Sequence, residues 1–223
     1  MTSESGVAHF KKKDKGFIEV LLQLNPGESI IVQTSANAIK GKVYPYFEAK
    51  GSPIEITGKW TLRFVDGGPA VPAGASLKQL QPWTDFKDSS YQFFSGTASY
   101  SIHFKKPVSS ASEFLLNLGK VGESAQVFIN GEKIATLIGP VFSCKLNSKY
   151  LKADNFLEIK VSNSMANRII NLDKHHVFWK KFNNTNFPAK LSQDRGPDGL
   201  FDASKWKPRA SGLAGPVTLT AID

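Results

Sequence analysis

The sequence predicts an all-β fold, an antiparallel β-sandwich or jelly roll with long loops. Apolar and polar residues alternate with a period of two along stretch after stretch, as half-buried strands require. Asn130-Gly131 separates two of these stretches and is the strongest short signal for a tight hairpin. Helical periodicity is scarce, and one or two short helices at most are expected, near residues 165–173.

The elements follow in order. Residues 1–16 are polar, carry Lys11-Lys12-Lys13, and read as a flexible lead-in. Residues 17–24 form a first expected strand. Asn25-Pro26-Gly27-Glu28 is a turn, because Pro presets φ and Gly accepts positive φ. Residues 29–34 return as the second strand of a hairpin, which needs a partner sheet to bury its apolar face. From residue 54 the strands become regular. Trp60, Leu62 and Phe64 alternate with Thr61, Arg63 and Val65. Tyr100, Ile102 and Phe104 alternate with Ser101 and His103, and Phe114, Leu116 and Leu118 with Leu115 and Asn117. Val127 and Ile129 lead into the Asn130-Gly131 turn, with Ile134 and Leu137 on the return. Leu157, Ile159 and Val161 alternate with Glu158, Lys160 and Ser162. Val217, Leu219 and Ala221 close the chain, with Thr218 and Thr220 facing outward. This pattern divides the chain into residues 1–53, a lead-in with a β-hairpin, and residues 54–223, the sandwich. Two long stretches, 66–99 and 164–216, break the rhythm, and ordered loops of that length tend to be functional or interfacial.

Composition narrows the function. The chain has 223 residues, 41% of them hydrophobic, enough for one sizeable core. Its net charge of +9 comes from lysines scattered through strands and turns, a solvated surface rather than a nucleic-acid footprint. Zinc-finger, RNP and helix-turn-helix patterns are missing, and no nucleic-acid partner is expected. No apolar run approaches the ~20 residues of a membrane span. The polar start lacks an apolar h-region, so no signal peptide is expected in this chain. Cys144 is the only cysteine, which excludes an intrachain disulfide and zinc sites built on cysteine pairs.

Catalytic motifs are sparse. Gly67-Gly68-Pro69 is the nearest run to a phosphate loop, and its proline removes a needed amide donor. Neither a Gly-x-Ser-x-Gly elbow nor a His-Glu-x-x-His helix occurs. His175 and His176 are adjacent, diverge in either regular structure, and fit surface or interface roles better than a shared metal. Asp194, Asp198 and Asp202 cluster around Gly196-Pro197-Asp198-Gly199, and Asp85 and Asp88 flank Phe86. Asp beside Gly or Pro suits turn and capping bonds, leaves room for a structural calcium, and leaves catalysis as a third role. No other cofactor is expected. Trp83, Tyr91, Trp179 and Trp206 sit on loops among polar residues. Such rings either stack on sugars or cover the sandwich ends and a neighbouring domain.

Several runs taken together resemble known sequences. Lys59-Trp60-Thr61-Leu62-Arg63-Phe64, then Gly67-Gly68-Pro69, Trp83 and Phe94-Ser95-Gly96-Thr97-Ala98-Ser99-Tyr100, resemble the sugar-binding-like β-sandwich of glycoside hydrolase family 2 and of family 106 α-L-rhamnosidase-like proteins. The likeness continues through Leu116-Asn117-Leu118-Gly119-Lys120-Val121, Ala125-Gln126-Val127-Phe128-Ile129-Asn130-Gly131 and Leu157-Glu158-Ile159-Lys160-Val161-Ser162-Asn163. It runs on through Trp206-Lys207-Pro208, and Met165-Ala166-Asn167-Arg168 with the closing Ser211-Gly212-Leu213-Ala214-Gly215-Pro216-Val217 tilt it toward the C-terminal end of the family 106-like proteins. Ala214 stands where a leucine is usual. Residues 183–188 match nothing.

The resemblance implies a galactose-binding-like jelly roll, a non-catalytic accessory module of a larger bacterial polysaccharide-degrading enzyme whose catalytic carboxylates lie in a separate barrel. An autonomous carbohydrate-binding module is the alternative, and a small stand-alone hydrolase a third. The chain alone is then expected to be inactive, its partners being carbohydrate and the parent's catalytic domain, and the parent periplasmic or secreted. Residues 17–34 would be the tail of a preceding β module. In family 2 enzymes the loop before the closing strand reaches toward the active site, and residues 167–179 match it here. The expected carbohydrate or domain-interface residues are therefore Trp83, Tyr91, Asn167, Arg168, Asp173 and Trp179. Arg168 would bond vicinal hydroxyls or pair with Asp173, and Trp179 would stack or plug the sandwich end.

Overall fold

A computed structural model describes residues 5–37, 39–180 and 191–223. Its strands are β1 (Phe10–Lys12), β2 (Ile18–Val20), β3 (Ile54–Glu55), β4 (Trp60–Gly68), β5 (Ala75–Leu77), β6 (Ser95–Lys105), β7 (Glu113–Asn117), β8 (Lys120–Val121), β9 (Ser124–Ile129), β10 (Glu132–Ile138), β11 (Ser143–Asn147), β12 (Asp154–Ser162), β13 (Leu213–Gly215) and β14 (Thr218–Ile222). Helix α1 spans Ser89–Gln92 and α2 spans Ala166–Lys174, where the sequence places its helix. Among the described residues no helix is long and apolar enough to cross a membrane.

Two antiparallel sheets form a β-sandwich, as the alternation predicts. The larger has the order β10-β9-β12-β6-β4-β5 and the smaller β11-β7-β14-β3, with two short ribbons, β1-β2 and β13-β8. The chain passes repeatedly between the sheets, from β3 to β4, β6 to β7, and β10 through β11 to β12. Alternation decides what each strand buries. Trp60, Leu62 and Phe64 of β4 point inward while Thr61, Arg63 and Val65 stay wet. Leu157, Ile159 and Val161 of β12 and Val127 of β9 are fully buried, and from the smaller sheet Phe114, Leu116, Leu146 and Leu219 meet them. Asn130 and Gly131 both take positive φ, 53° and 89°, which closes β9 onto β10 in a two-residue turn. Gly67 and Gly68 end β4. Gly67 and Gly96 face each other across β4 and β6, and a Cβ on either would collide with the opposite backbone.

The lead-in departs from expectation. Residues 29–34 form no strand, and β2 pairs instead with β1, inside the stretch expected to be irregular. The reversal is made by Lys15 and Gly16, both with positive φ, so a tight turn forms before Pro26-Gly27 is reached. The lysines do not oppose it, because β1 is exposed throughout. The lead-in is tied to itself and to the sandwich. Val7 exchanges backbone bonds with Lys42 and Tyr44, the Tyr46 hydroxyl donates to the Leu21 carbonyl at 2.7 Å, and the Gln23 amide bonds both backbone groups of Phe47. Glu48 and Lys50 then bond Asp223 and Ala221 beside β14, so edge pairing of the smaller sheet begins before residue 54.

Thr220 faces outward, as its alternation with Leu219 and Ala221 predicts, yet it is buried. Lys145, Leu115 and Thr220 form one cross-strand row on the outer face of the smaller sheet. Lys145 donates to the Pro45 carbonyl at 2.8 Å and lies 5.1 Å from the centre of the Phe47 ring, so residues 45–47 cross this face and cover it. Cys144, on β11 beside Leu116, points toward the core, and burial pushes its thiol up to about 12.

Candidate functional site

Four of the six expected site residues, Asn167, Arg168, Asp173 and Trp179, gather at one end of the sandwich, around α2 and residues 191–211. Asn167, Ile170 and Asp173 are buried on one face of α2, at a spacing of three that places them side by side. Asn167 works as a clamp. Its side-chain oxygen accepts from the Arg209 amide at 2.8 Å, and its nitrogen donates to the Arg209 carbonyl at 2.9 Å and to Ser211 Oγ. Asn163, just after β12, accepts from the Gly96 amide and donates to the Phe94 carbonyl and to Ser211 Oγ. Ser211 completes the network, its amide donating to Thr84 Oγ1 and its carbonyl accepting from the Trp83 amide. Thus the asparagines and serine of the Ser162-Asn163, Met165-Ala166-Asn167-Arg168 and Ser211-Gly212 runs are structural. They satisfy buried backbone groups of three separate segments, which would be costly to leave unpaired.

Asp173 is a buried carboxylate with several donors. Trp179 Nε1 lies 2.7 Å from its Oδ1, the Ala203 amide 2.8 Å from its Oδ2, and Lys180 Nζ 3.4 Å from Oδ1. It pairs with Lys180 and not with Arg168, one of the two roles expected for that arginine. The Arg168 amide donates to Ser95 Oγ, and its half-buried guanidinium has no ion-pair partner among the described residues. Trp179 is half-buried, with the Lys180 ammonium 5.1 Å from its ring centre.

Two expected site aromatics belong elsewhere. Trp83 is 0% exposed and packs edge-to-face on Phe64 and Phe94, at 5.6 and 5.8 Å between ring centres. It has no free face for a sugar. Its polar neighbours in sequence are misleading, because a short 3₁₀ turn at Trp83–Asp85 turns the indole inward. Tyr91 is half-buried against Phe64 and Phe86, and its hydroxyl donates to the Ala73 carbonyl. Among the described residues, Trp206, whose Nε1 bonds Asp194, and Phe178, 66% exposed, are exposed aromatic rings at this end. Phe178 escaped sequence reasoning because nothing in its spacing separates it from a core aromatic.

The aspartates serve local turns. Asp194 accepts from Trp206, Asp198 from the Leu200 amide and Asp202 from the Ser204 amide. That last bond holds the Asp202 carboxyl below its ordinary value. Asp88 caps α1 by accepting from the Ser90 amide. Among the described residues no three His, Cys, Asp or Glu side chains come together as metal ligands. His175 and His176 are exposed at the end of α2. Residues 183–188 lie outside the described residues.

No protein-family profile matches the chain. Among curated proteins it is similar to one from Formosa agariphila, named by inference a β-glucuronidase, at 27% identity over 94% of this chain and 19% of that protein. Among solved structures it is similar to a rhamnosidase from Novosphingobium sp. PP1Y, with a TM-score of 0.57 and 24% identity over 92% of this chain and 17% of that one. The latter likeness shows the fold, and it takes in the lead-in as well as the sandwich. The chain spans about a fifth of the length of either protein.

Proposed function

We propose that this chain is a non-catalytic β-sandwich domain of a glycoside hydrolase system, docking on a catalytic domain and helping to hold carbohydrate. The observation that carries it is the distribution of apolar surface. The sandwich has a complete core of its own, yet the lead-in leaves Phe10, Phe17, Ile18, Leu21, Ile31 and Val43 each more than half exposed, Ile31 at 95%. Apolar side chains concentrated in one segment mark a surface that another protein covers. Similarity to a fifth of a much longer protein named as a glycosidase supports a catalytic domain as that partner. A polysaccharide substrate and a periplasmic or secreted setting follow from the family resemblance. Arg168, Trp179, Phe178 and Trp206 form the side of the sandwich proposed to border the active site, with Asn167 and Asp173 as its buried scaffold.

A double substitution, Phe17→Ser with Ile31→Ser, tests the docking surface. Changes to exposed side chains stay within about 0.5 kcal/mol. The melting temperature is therefore expected to move by no more than about 4 °C for the pair, while binding of the apolar dye ANS falls. A drop of many degrees would make these residues part of the chain's own core and remove the docking surface.

A further inference from the structure

The outer face of the six-stranded sheet carries a second surface of a different kind. Register places Arg63, Ser99, Lys160, Gln126 and Thr136 in one row across five strands. Thr97, Ser162, Ser124 and Ile138 form the row on one side of it, and Ser101, Glu158, Phe128 and Lys133 the row on the other. Neighbouring side chains in a row stand about 5 Å apart. A solvated sheet face is ordinarily built from Thr, Val and long charged residues. Here Ser162 and Ser124 occupy the middle of the Thr97 row, and longer side chains rise around them. The result is a trough of about 220 Å³ lined by Thr97, Ser124, Gln126, Thr136, Lys160 and Ser162, with Ala125 and Ile138 completing it.

The trough is ordered by its own bonds. Thr97 Oγ1 and Ser162 Oγ are 2.7 Å apart on its floor. Ser99 Oγ donates to Glu158 Oε1 at 2.7 Å, which holds that carboxylate in the neighbouring row. Lys160 borders the trough, and its ammonium sits 4.8 Å from the centre of the Phe128 ring, a cation–π contact on the side facing the neighbouring Glu158 row. Lys160 is the charged side chain among the lining residues, and the other polar ones are hydroxyls and one amide. Hydroxyls and an amide both donate and accept, which suits the hydroxyls of a sugar ring. An ammonium among them adds a charge-assisted bond for a carboxylate.

We propose that this trough binds one hexuronate residue of an acidic glycan. Lys160 pairs with the carboxylate, Gln126 and Thr136 bond ring hydroxyls, and Thr97 and Ser162 bond the face of the ring that meets the floor. The proposal deepens the carbohydrate-associated role and rests on it, but the site is distinct from the α2 end of the sandwich and from the lead-in.

The test is a ¹⁵N NMR titration of the full chain with D-glucuronate, with D-glucose and acetate as controls. Shifts confined to β9, β10, β12 and the start of β6 are expected with glucuronate, and binding at least tenfold weaker with either control. Lys160→Gln should weaken glucuronate about tenfold without moving the melting temperature, and Lys133→Gln should leave affinity unchanged. No shifts on this face, equal shifts with acetate alone, or an unchanged titration in Lys160→Gln would each overturn the site. Glucuronate shifts confined to the α2 end would overturn it too, while leaving the docking role standing. That role is read separately, by the lead-in substitutions.

Discussion

Ile159→Asp is expected to abolish cooperative folding. Ile159 is 0% exposed on β12, where it stands opposite Tyr100 of β6 and Val127 of β9 in the middle of the larger sheet. The substitution forfeits about 2–3 kcal/mol of apolar burial. It also places a carboxylate where no donor waits, which costs several kcal/mol more, or forces the group to take up a proton. The sum approaches the whole stability of a typical domain, about 5–15 kcal/mol. Urea unfolding followed by circular dichroism should show no native baseline for this variant. A midpoint close to the unsubstituted chain's would mean that Ile159 faces water and that the phase of β12 is wrong.

Trp83→Ala is expected to cost about 3–5 kcal/mol, the range for truncating a buried large aromatic. At 2–4 °C per kcal/mol for a chain of this size, the melting temperature should fall by about 10 °C. The loss has two sources. Phe64 and Phe94 lose the ring they pack against, and the 3₁₀ turn that joins Trp83 to Ser211 through its backbone is loosened. An unchanged melting temperature together with weakened sugar binding would return Trp83 to the surface role that its loop position suggested.

What the sequence revealed and what it hid have physical causes. Trp60, Leu62 and Phe64, like Leu157, Ile159 and Val161, are legible because a strand with one buried face must alternate. Asn130-Gly131 is legible because few other dipeptides accept two successive positive φ angles. The short helix near residue 165 was also legible. Thr220 was not, because its burial depends on residues 45–47, far off in sequence, crossing the outer face of the smaller sheet. The lead-in hairpin was misplaced by about ten residues because Pro26-Gly27 is a stronger turn signal than Lys15-Gly16, yet the earlier pair closes first. At the α2 end, Asn167 and Asp173 lie close together and serve as internal scaffold. Asn167 and Asp173 look like ligand-binding residues in sequence because buried backbone groups and sugar hydroxyls ask for the same side-chain chemistry. Only the partners distinguish the two uses, and those partners, Arg209 and Ala203, lie 42 and 30 positions downstream.

The role proposed for this chain is to support glycoside hydrolysis without performing it. Of the carboxylates closest to a catalytic pattern in the sequence, Asp198 and Asp202 accept bonds within their own turns and Asp194 accepts from Trp206. The direct measurement is turnover of aryl rhamnosides, galactosides and glucuronides by the purified chain. No release above buffer is predicted for any of them. Turnover that disappears in Asp198→Asn would contradict the account and make the chain an enzyme in its own right.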